Sequence, residues 1–573
     1  MGGGTAGADI GGLNALRQRL GRWIQAKTLT GLDPGPYDLT VRKNLRVPMD
    51  DGVVLLADLI TPLRDTDSRL PTIVIRGPYG RSGPVANSAR ALAREGFRVL
   101  FQSCRGTSGS EGAFTPQIDE QRDGIATHRW VRAQPWHTGP IATYGSSYMG
   151  FTQWAVAAEL ERTDPDSAPE ALCLQITMPD FGAVTWDNGA FAMRNALGWT
   201  QMMDRMIHRE MLPLVLSRLR PDAKLRTAFD VLPLTAGDTA ANGRQVDWYQ
   251  DWVTYEDLAD EYWTQQSHTA SVPEVTAPMY MVTGWYDIFL PWQLRTYAQL
   301  AAAGRPPRLT VGPWGHLSRG MGAPSIRETV EFLKEQFADG PTTRVAPVRA
   351  FRTGADEWHD LAAWPPQGVS TRSLFLQPGG GLGPGDPAGG STTYVYDPSD
   401  PTPALGGPSL EPTSDPVDNT AHERRADVVV FRGDVLVESL TVAGEPVARI
   451  RFRSLRPSAD LFVRICDVHP DGRVMTVCDG IRRIGSIGTK STDPEPDSEG
   501  FRIVEVHLWP TFHEFAVGHR IGIQISSGAH PRYARNPGSG EPAATATSLH
   551  RAEQEISHES ATPSCIDLPT WPH

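Results

Sequence analysis

The residues best suited to chemistry lie in Gly145-Ser146-Ser147-Tyr148-Met149-Gly150, directly after the apolar run Ile141–Tyr144 and ahead of the helix-forming stretch TQWAVAAEL. A hydroxyl nucleophile on a sharp strand-to-helix turn needs small neighbours, because the backbone crowds itself there. Gly145 and Gly150 supply that room. The helix start beneath the turn offers backbone N–H groups and positive dipole to a developing oxyanion. The run departs from a strict G-x-S-x-G, since Met149 takes the fifth place and the glycine comes one later. Ser147, two after the first glycine, is the candidate rather than Ser146. Alone, the run fits equally well a turn that merely links strand to helix.

Two further residues change that balance. Asp287 ends Gly284-Trp-Tyr-Asp287 after the apolar run Met279–Thr283, and His316 ends Gly312-Pro-Trp-Gly-His316 after a run ending at Val311. Singly, Asp287 could be a helix N-cap before Pro291 and His316 a surface-loop histidine. In the order Ser, Asp, His, each just past a strand end, they match an α/β-hydrolase triad: nucleophile, orienting acid and general base.

The elements that must position these residues are legible as apolar runs. Asn44 to Thr61 alternates around Asp50-Asp51-Gly52, as a β-hairpin does. Thr72–Ile75, Val99–Gln102, Ile141–Tyr144 and Leu172–Ile176 are short and apolar, and helical spacing at Val85–Glu95 and Glu120–Ala133 separates the first three. That alternation predicts a parallel sheet covered on both faces. It stops near Asp180. Residues 181–271 are rich in Trp, Met, Leu and Arg with helical periodicity and no evident strand, which predicts a helical cap over the carboxyl edge or a helical domain packed elsewhere. The rhythm resumes with Met279–Thr283, a helix at Pro291–Ala303 and a strand at Arg308–Val311. From about Ala346, short alternating segments such as Ala448–Ser454, Asp460–Asp467 and Arg520–Ser527 between Gly/Pro-rich loops predict a β-sandwich or jelly roll. The expected domains are an N-terminal extension (1–36), an α/β-hydrolase core (37–180 and 272–345), a helical cap (181–271) and a C-terminal jelly-roll β domain (346–573).

With 573 residues, more than one domain is expected. A net charge of -12 argues against nucleic acid or anionic lipid as a partner. No stretch approaches the apolar length of a membrane span, and the glycine-rich start lacks the features of a signal peptide. The five cysteines form no CxxC pair, so neither a disulfide framework nor a zinc site is suggested; only Cys466 and Cys478, in neighbouring strand-like segments, are placed to meet. His507, His513 and His519 recur every six residues, which suits ligand geometry on neither strand nor helix and points to structural roles. A cytoplasmic protein without metal or cofactor is expected. Its oligomeric state is left open between monomer and homo-oligomer.

Gly145–Gly150, Gly284–Asp287 and Gly312–His316 resemble the three signature motifs of the CocE/NonD hydrolase family, which includes X-Pro dipeptidyl-peptidase-like proteins. The likeness extends to Arg105–Gly112, Gln134–Trp136, Gly518–Arg520 and Pro531–Asn536, so it spans roughly residues 40–540. It implies the same core, cap and jelly roll, with Ser147, Asp287 and His316 as the triad. It further implies an oxyanion hole made by the Tyr79 hydroxyl and the Tyr148 N–H. Trp186, Trp199 and Phe289 match positions that line the acyl pocket in the cocaine-esterase branch, against the plainer alternative of cap-to-core packing.

Two departures stand out. Ser103 stands where the family commonly has an aspartate, two residues before Arg105-Gly106. Phe289 and Leu290 stand where α-amino-acid ester hydrolases use carboxylates to hold a substrate ammonium. An apolar or neutral acyl group is therefore favoured. The expected activity is hydrolysis of small-molecule carboxylic esters through an acyl-enzyme. The alternatives are X-Pro dipeptidyl-peptidase-like or amide-cleaving activity, acyl transfer, and outside this class a non-catalytic binding protein.

Overall fold

The computed structural model describes residues 18–63, 69–210, 223–338, 340, 342, 344–410, 416–488 and 492–572. Residues 1–17 of the 1–36 extension lie outside them, and residues 18–28 are helical.

The core is one ten-stranded sheet. Its strands are β1 (Leu39–Pro48), β2 (Val54–Pro62), β3 (Thr72–Gly77), β4 (Arg98–Ser103), β5 (Ile141–Ser146), β6 (Ala171–Gln175), β7 (Met279–Tyr286), β8 (Arg308–Gly315), β9 (Val348–Arg352) and β10 (Glu357–Leu361). Their order is β1-β2-β4-β3-β5-β6-β7-β8-β9-β10. The run from β4 to β9 is parallel, while β1, β2 and β10 add antiparallel margins. β3, β4 and β6 are buried at every residue, as strands covered on both faces must be. The hairpin β1–β2 turns at Gly52, whose φ of +84° suits the residue type. Because the parallel strands all point one way, their carboxyl ends form a single edge where side chains from distant parts of the chain can meet.

The sheet runs further than expected. Residues from 346 on were assigned to the β domain, but β9 pairs in parallel with β8 and β10 antiparallel with β9. Glu357–Leu361 is an edge strand with mostly exposed side chains, so its composition reads like that of any sandwich strand.

Between β6 and β7 the cap is built of helices that include Met193–Ile207, Gly237–Asn242 and Asp247–Thr254. The expectation of no strand there is corrected in one detail: Trp186–Asp187 pairs with Ala190–Phe191. A two-residue ribbon is too short to show a period. Leu197, Met203, Trp248, Tyr249 and Trp263 form the cap's own core, and Tyr79, Phe114 and Trp199 pack against it. The cap thus seats on loops from the sheet's carboxyl edge.

Among the described residues, the C-terminal part folds as two antiparallel sheets, of nine and four strands. Their apolar faces share one core, with Ile450, Phe452 and Val504 from the larger sheet and Val463, Ile465 and Ile523 from the smaller. That core continues into the hydrolase side through Trp364, Tyr297 and Leu294. The cysteines are all free and buried: Cys466 stands opposite Thr476, and Cys478 opposite Ile465, across a register shift.

Candidate active site

Ser147 sits between the end of β5 and the helix Tyr148–Thr163 with φ 57° and ψ -126°, a strained pairing for a residue with a side chain. The strain is held from several sides. The Ser147 N–H donates to the Gln175 and Ile176 carbonyls at 3.0 and 3.1 Å, and the Thr177 hydroxyl donates to the Ser147 carbonyl at 2.8 Å. A Cβ on Gly145 would lie 2.5 Å from the Met149 carbonyl oxygen, and one on Gly150 2.4 Å from Thr177 Cγ2. Only glycine fits at either place, so this turn cannot form with larger neighbours.

The other two candidates close on it. His316, just past β8, brings Nε2 to 3.0 Å from Ser147 Oγ and Nδ1 to 2.7 Å from Asp287 Oδ2. Asp287, just past β7, is fully buried, and its Oδ1 accepts the Phe289 N–H at 2.8 Å. The Phe289 ring packs edge-on against the imidazole, with centroids 5.2 Å apart. A serine, a histidine and a carboxylate in unbroken contact can move a proton off the hydroxyl and hold the resulting imidazolium.

Tyr79 follows β3. Its hydroxyl accepts from Trp199 Nε1 at 3.1 Å and interacts with Ser147. Burial pushes its pKa up to about 12, outweighing those hydrogen bonds, so it keeps its proton near neutrality. The Tyr148 N–H opens its helix and has no carbonyl one turn earlier to bond. Its ring is fixed elsewhere: the hydroxyl donates to Glu120 Oε1 at 2.9 Å, and the ring stacks on Trp199.

A pocket opens on Ser147 between cap and core, with about 50 Å³ open to the centre of a water-sized sphere. That holds a few waters, or a compact group of similar bulk. Trp199 and Phe289 line it, as expected. Trp186 does not. It is 2% exposed, donates Nε1 to the Trp252 carbonyl at 2.8 Å and packs on Phe191 inside the cap. Sequence reasoning missed Phe181, Trp252, Ile288, Leu410 and Gln117. Ile288 was within reach of inspection, being next to Phe289. Leu410 was not, since it lies in a Gly/Pro-rich loop of the β domain and enters by donating its N–H to Asn195 Oδ1.

Among the described residues, no carboxylate lines the pocket. Six acidic residues of the cap that could serve an amine are engaged elsewhere: Asp187 accepts from the Tyr533 hydroxyl at 2.6 Å, and Asp204 and Glu210 pair with Arg244. Glu256 accepts from the Ala543 N–H, while Asp257 and Asp260 accept from the Ala259 and Tyr262 N–H groups. Where the family's aspartate is replaced, Ser103 Oγ accepts from Arg81, and Arg81 finds a carboxylate in Asp58 instead. Among the described residues, one group can hold a metal ion by its spacing, Asp467, His469 and His519, and it belongs to the β domain.

Fold and site together define a serine hydrolase of the α/β-hydrolase class. Residues 51–318 match the family model for X-Pro dipeptidyl-peptidase (S15 family), and residues 341–567 match that for the X-Pro dipeptidyl-peptidase C-terminal non-catalytic domain. The chain is 30% identical over 579 residues to cocaine esterase of Rhodococcus sp. (strain MB1 Bresler), with 91% of this chain and 98% of that one covered. It belongs to the CocE/NonD family of hydrolases. An α-amino acid ester hydrolase structure superposes with a TM-score of 0.79 at 22% identity, covering 93% of this chain and 97% of that one. An aminopeptidase from a Thaumarchaeota archaeon gives 0.77 at 23%, with the same coverage. At those identities the likeness is one of fold. Among the described residues, no helix is long and apolar enough to cross a membrane.

Proposed function

We propose that the protein hydrolyses carboxylic esters of small molecules with compact, uncharged acyl groups, using Ser147 as nucleophile, His316 as general base and Asp287 as the residue that orients it. One observation carries the reading: the pocket on Ser147 is small and mostly apolar, with no ionised side chain in its lining among the described residues. An α-ammonium placed there would be desolvated without a counter-charge. That disfavours an exopeptidase, which must hold a free peptide amine.

In this mechanism Ser147 Oγ attacks the ester carbonyl as His316 Nε2 takes its proton, while Asp287 accepts from Nδ1–H and fixes the tautomer. The carbonyl oxygen, now an oxyanion, receives hydrogen bonds from the Tyr79 hydroxyl and the Tyr148 N–H. Each such donor is worth about 3 kcal/mol in the transition state. Collapse returns the proton to the leaving alkoxide, and water, deprotonated by His316, releases the acid. Trp199 and Phe289 enclose the acyl group.

The test is a series of p-nitrophenyl esters from acetate to benzoate, given to the parent and to Ser147→Ala. Short acyl groups should be turned over best by the parent, and Ser147→Ala should lose at least about 10⁴-fold in kcat. Undiminished activity in the variant would refute the role of Ser147. Cleavage of X-Pro amides in preference to esters would replace the substrate class.

A further inference from the structure

Gln117 stands apart from the other polar residues of the Ser147 pocket. It lines that pocket and is only 3% exposed, and both its amide nitrogen and its amide oxygen are buried without a hydrogen-bond partner among the described residues. Because both ends lack a partner, exchanging the two atoms changes nothing. The other hydroxyl and amide side chains of the lining each make at least one contact of their own. Ser147 contacts His316, Thr185 donates to the Phe181 carbonyl at 2.8 Å, and Asn195 accepts from Leu410 at 3.1 Å.

The backbone holds Gln117 in place at a cost. Its φ is +69°, which a residue with a side chain adopts only when its surroundings impose it. The Gln117 N–H donates to the Tyr148 hydroxyl at 2.8 Å, and that hydroxyl donates to Glu120, which pairs with Arg76. Gln117 is thus tied to the first residue of the helix that begins after Ser147. A buried, unpaired amide beside a nucleophile is an unmet demand for one donor and one acceptor.

We propose that Gln117 is a specificity-determining residue that hydrogen-bonds a neutral polar group, a hydroxyl or a carboxamide, carried on the acyl part of the ester. The inference rests on the esterase reading and narrows its substrate class. Hydroxyl and carboxamide both offer donor and acceptor together, as the glutamine requires. A carboxylate would leave the amide oxygen facing negative charge, and an ammonium would leave the amide nitrogen unpaired. A purely apolar acyl group would keep both ends unpaired, a mismatch of the kind that lets a polar site reject apolar analogues.

The test compares near-isosteric p-nitrophenyl esters, 3-hydroxybutyrate against isovalerate and lactate against isobutyrate, each rate divided by that of hydroxide-catalysed hydrolysis. The parent should favour the hydroxy ester by about tenfold or more in kcat/KM in at least one pair. Gln117→Met should bring that ratio close to one. A ratio near one in the parent, or an unchanged ratio in Gln117→Met, would overturn the proposal; the parent ratio decides even if the variant does not fold. Should the parent cleave no ester, the esterase reading fails by itself. Gln117 is then tested by protection of Ser147 from a fluorophosphonate. Protection by 3-hydroxybutyramide but not by isovaleramide supports its role, and equal protection refutes it.

Discussion

At the scale of single residues, the site is a set of contacts that only certain side chains can make. Tyr79 illustrates how burial tunes one of them. Removed from water, its hydroxyl titrates near 12, so it remains a donor throughout the range in which a histidine can act as base. Tyr79→Phe should therefore lower kcat on p-nitrophenyl acetate by about 10²- to 10³-fold with little change in KM. Because the parent tyrosine keeps its proton, the deficit should be equal at pH 7 and pH 10. A deficit that vanishes by pH 10 would show that the hydroxyl is not a donor to the oxyanion. The positions of Ser147, Asp287 and His316 could be read from the sequence because each follows an apolar run and carries glycine nearby. Trp186 was misjudged as pocket-lining because an indole in a cap serves packing and ligand contact equally well, and sequence does not say which way it points. Gln117 gave no signal, since an unpaired amide is a property of the folded surroundings.

At the scale of elements, strands covered on both faces were the most legible, as at Thr72–Gly77 and Ile141–Ser146, where every or nearly every residue is buried. The strand Val474–Ile484 was legible only as a strand-like segment around Cys478, without bounds, because it carries Asp479, Arg482 and Arg483, charges that look like loop until their partners are known. Asp479 lies buried between Arg464, at 2.8 Å, and Arg532, at 2.6 Å. Burial raises its pKa, but the two guanidinium groups outweigh this and hold the carboxyl below its ordinary range. The sign follows: stability from this cluster is present above about pH 4 and is lost as pH falls through the lowered native pKa. Asp479→Asn leaves two buried arginines without their shared anion and should cost about 3–5 kcal/mol at pH 7 in urea unfolding. The gap between parent and variant should shrink below pH 4. A gap of the same size at pH 3 would mean that the loss is one of packing rather than charge.

At the scale of the whole molecule, Ser147 meets His316, 169 residues further on, and Asp287, 29 residues before His316, because one parallel sheet gathers their strand ends at a single edge. The cap closes over that edge, and the β domain joins it through Leu410 and through the Tyr533 hydroxyl bound to Asp187. The order of core, cap and β domain was legible from changes in period and composition. The contribution of the β domain to the pocket was not, because one leucine in an irregular loop carries no pattern. The reach of the sheet to Leu361 was hidden for a similar reason, since an exposed edge strand reads alike in any antiparallel setting. The most direct measurement of the central claim is to label the folded protein with a fluorophosphonate and locate the adduct by mass spectrometry of its peptides. The account predicts one adduct, on Ser147, absent after unfolding and strongly slowed in His316→Ala. An adduct on Ser146 or elsewhere, or a folded protein that takes no label, would contradict it.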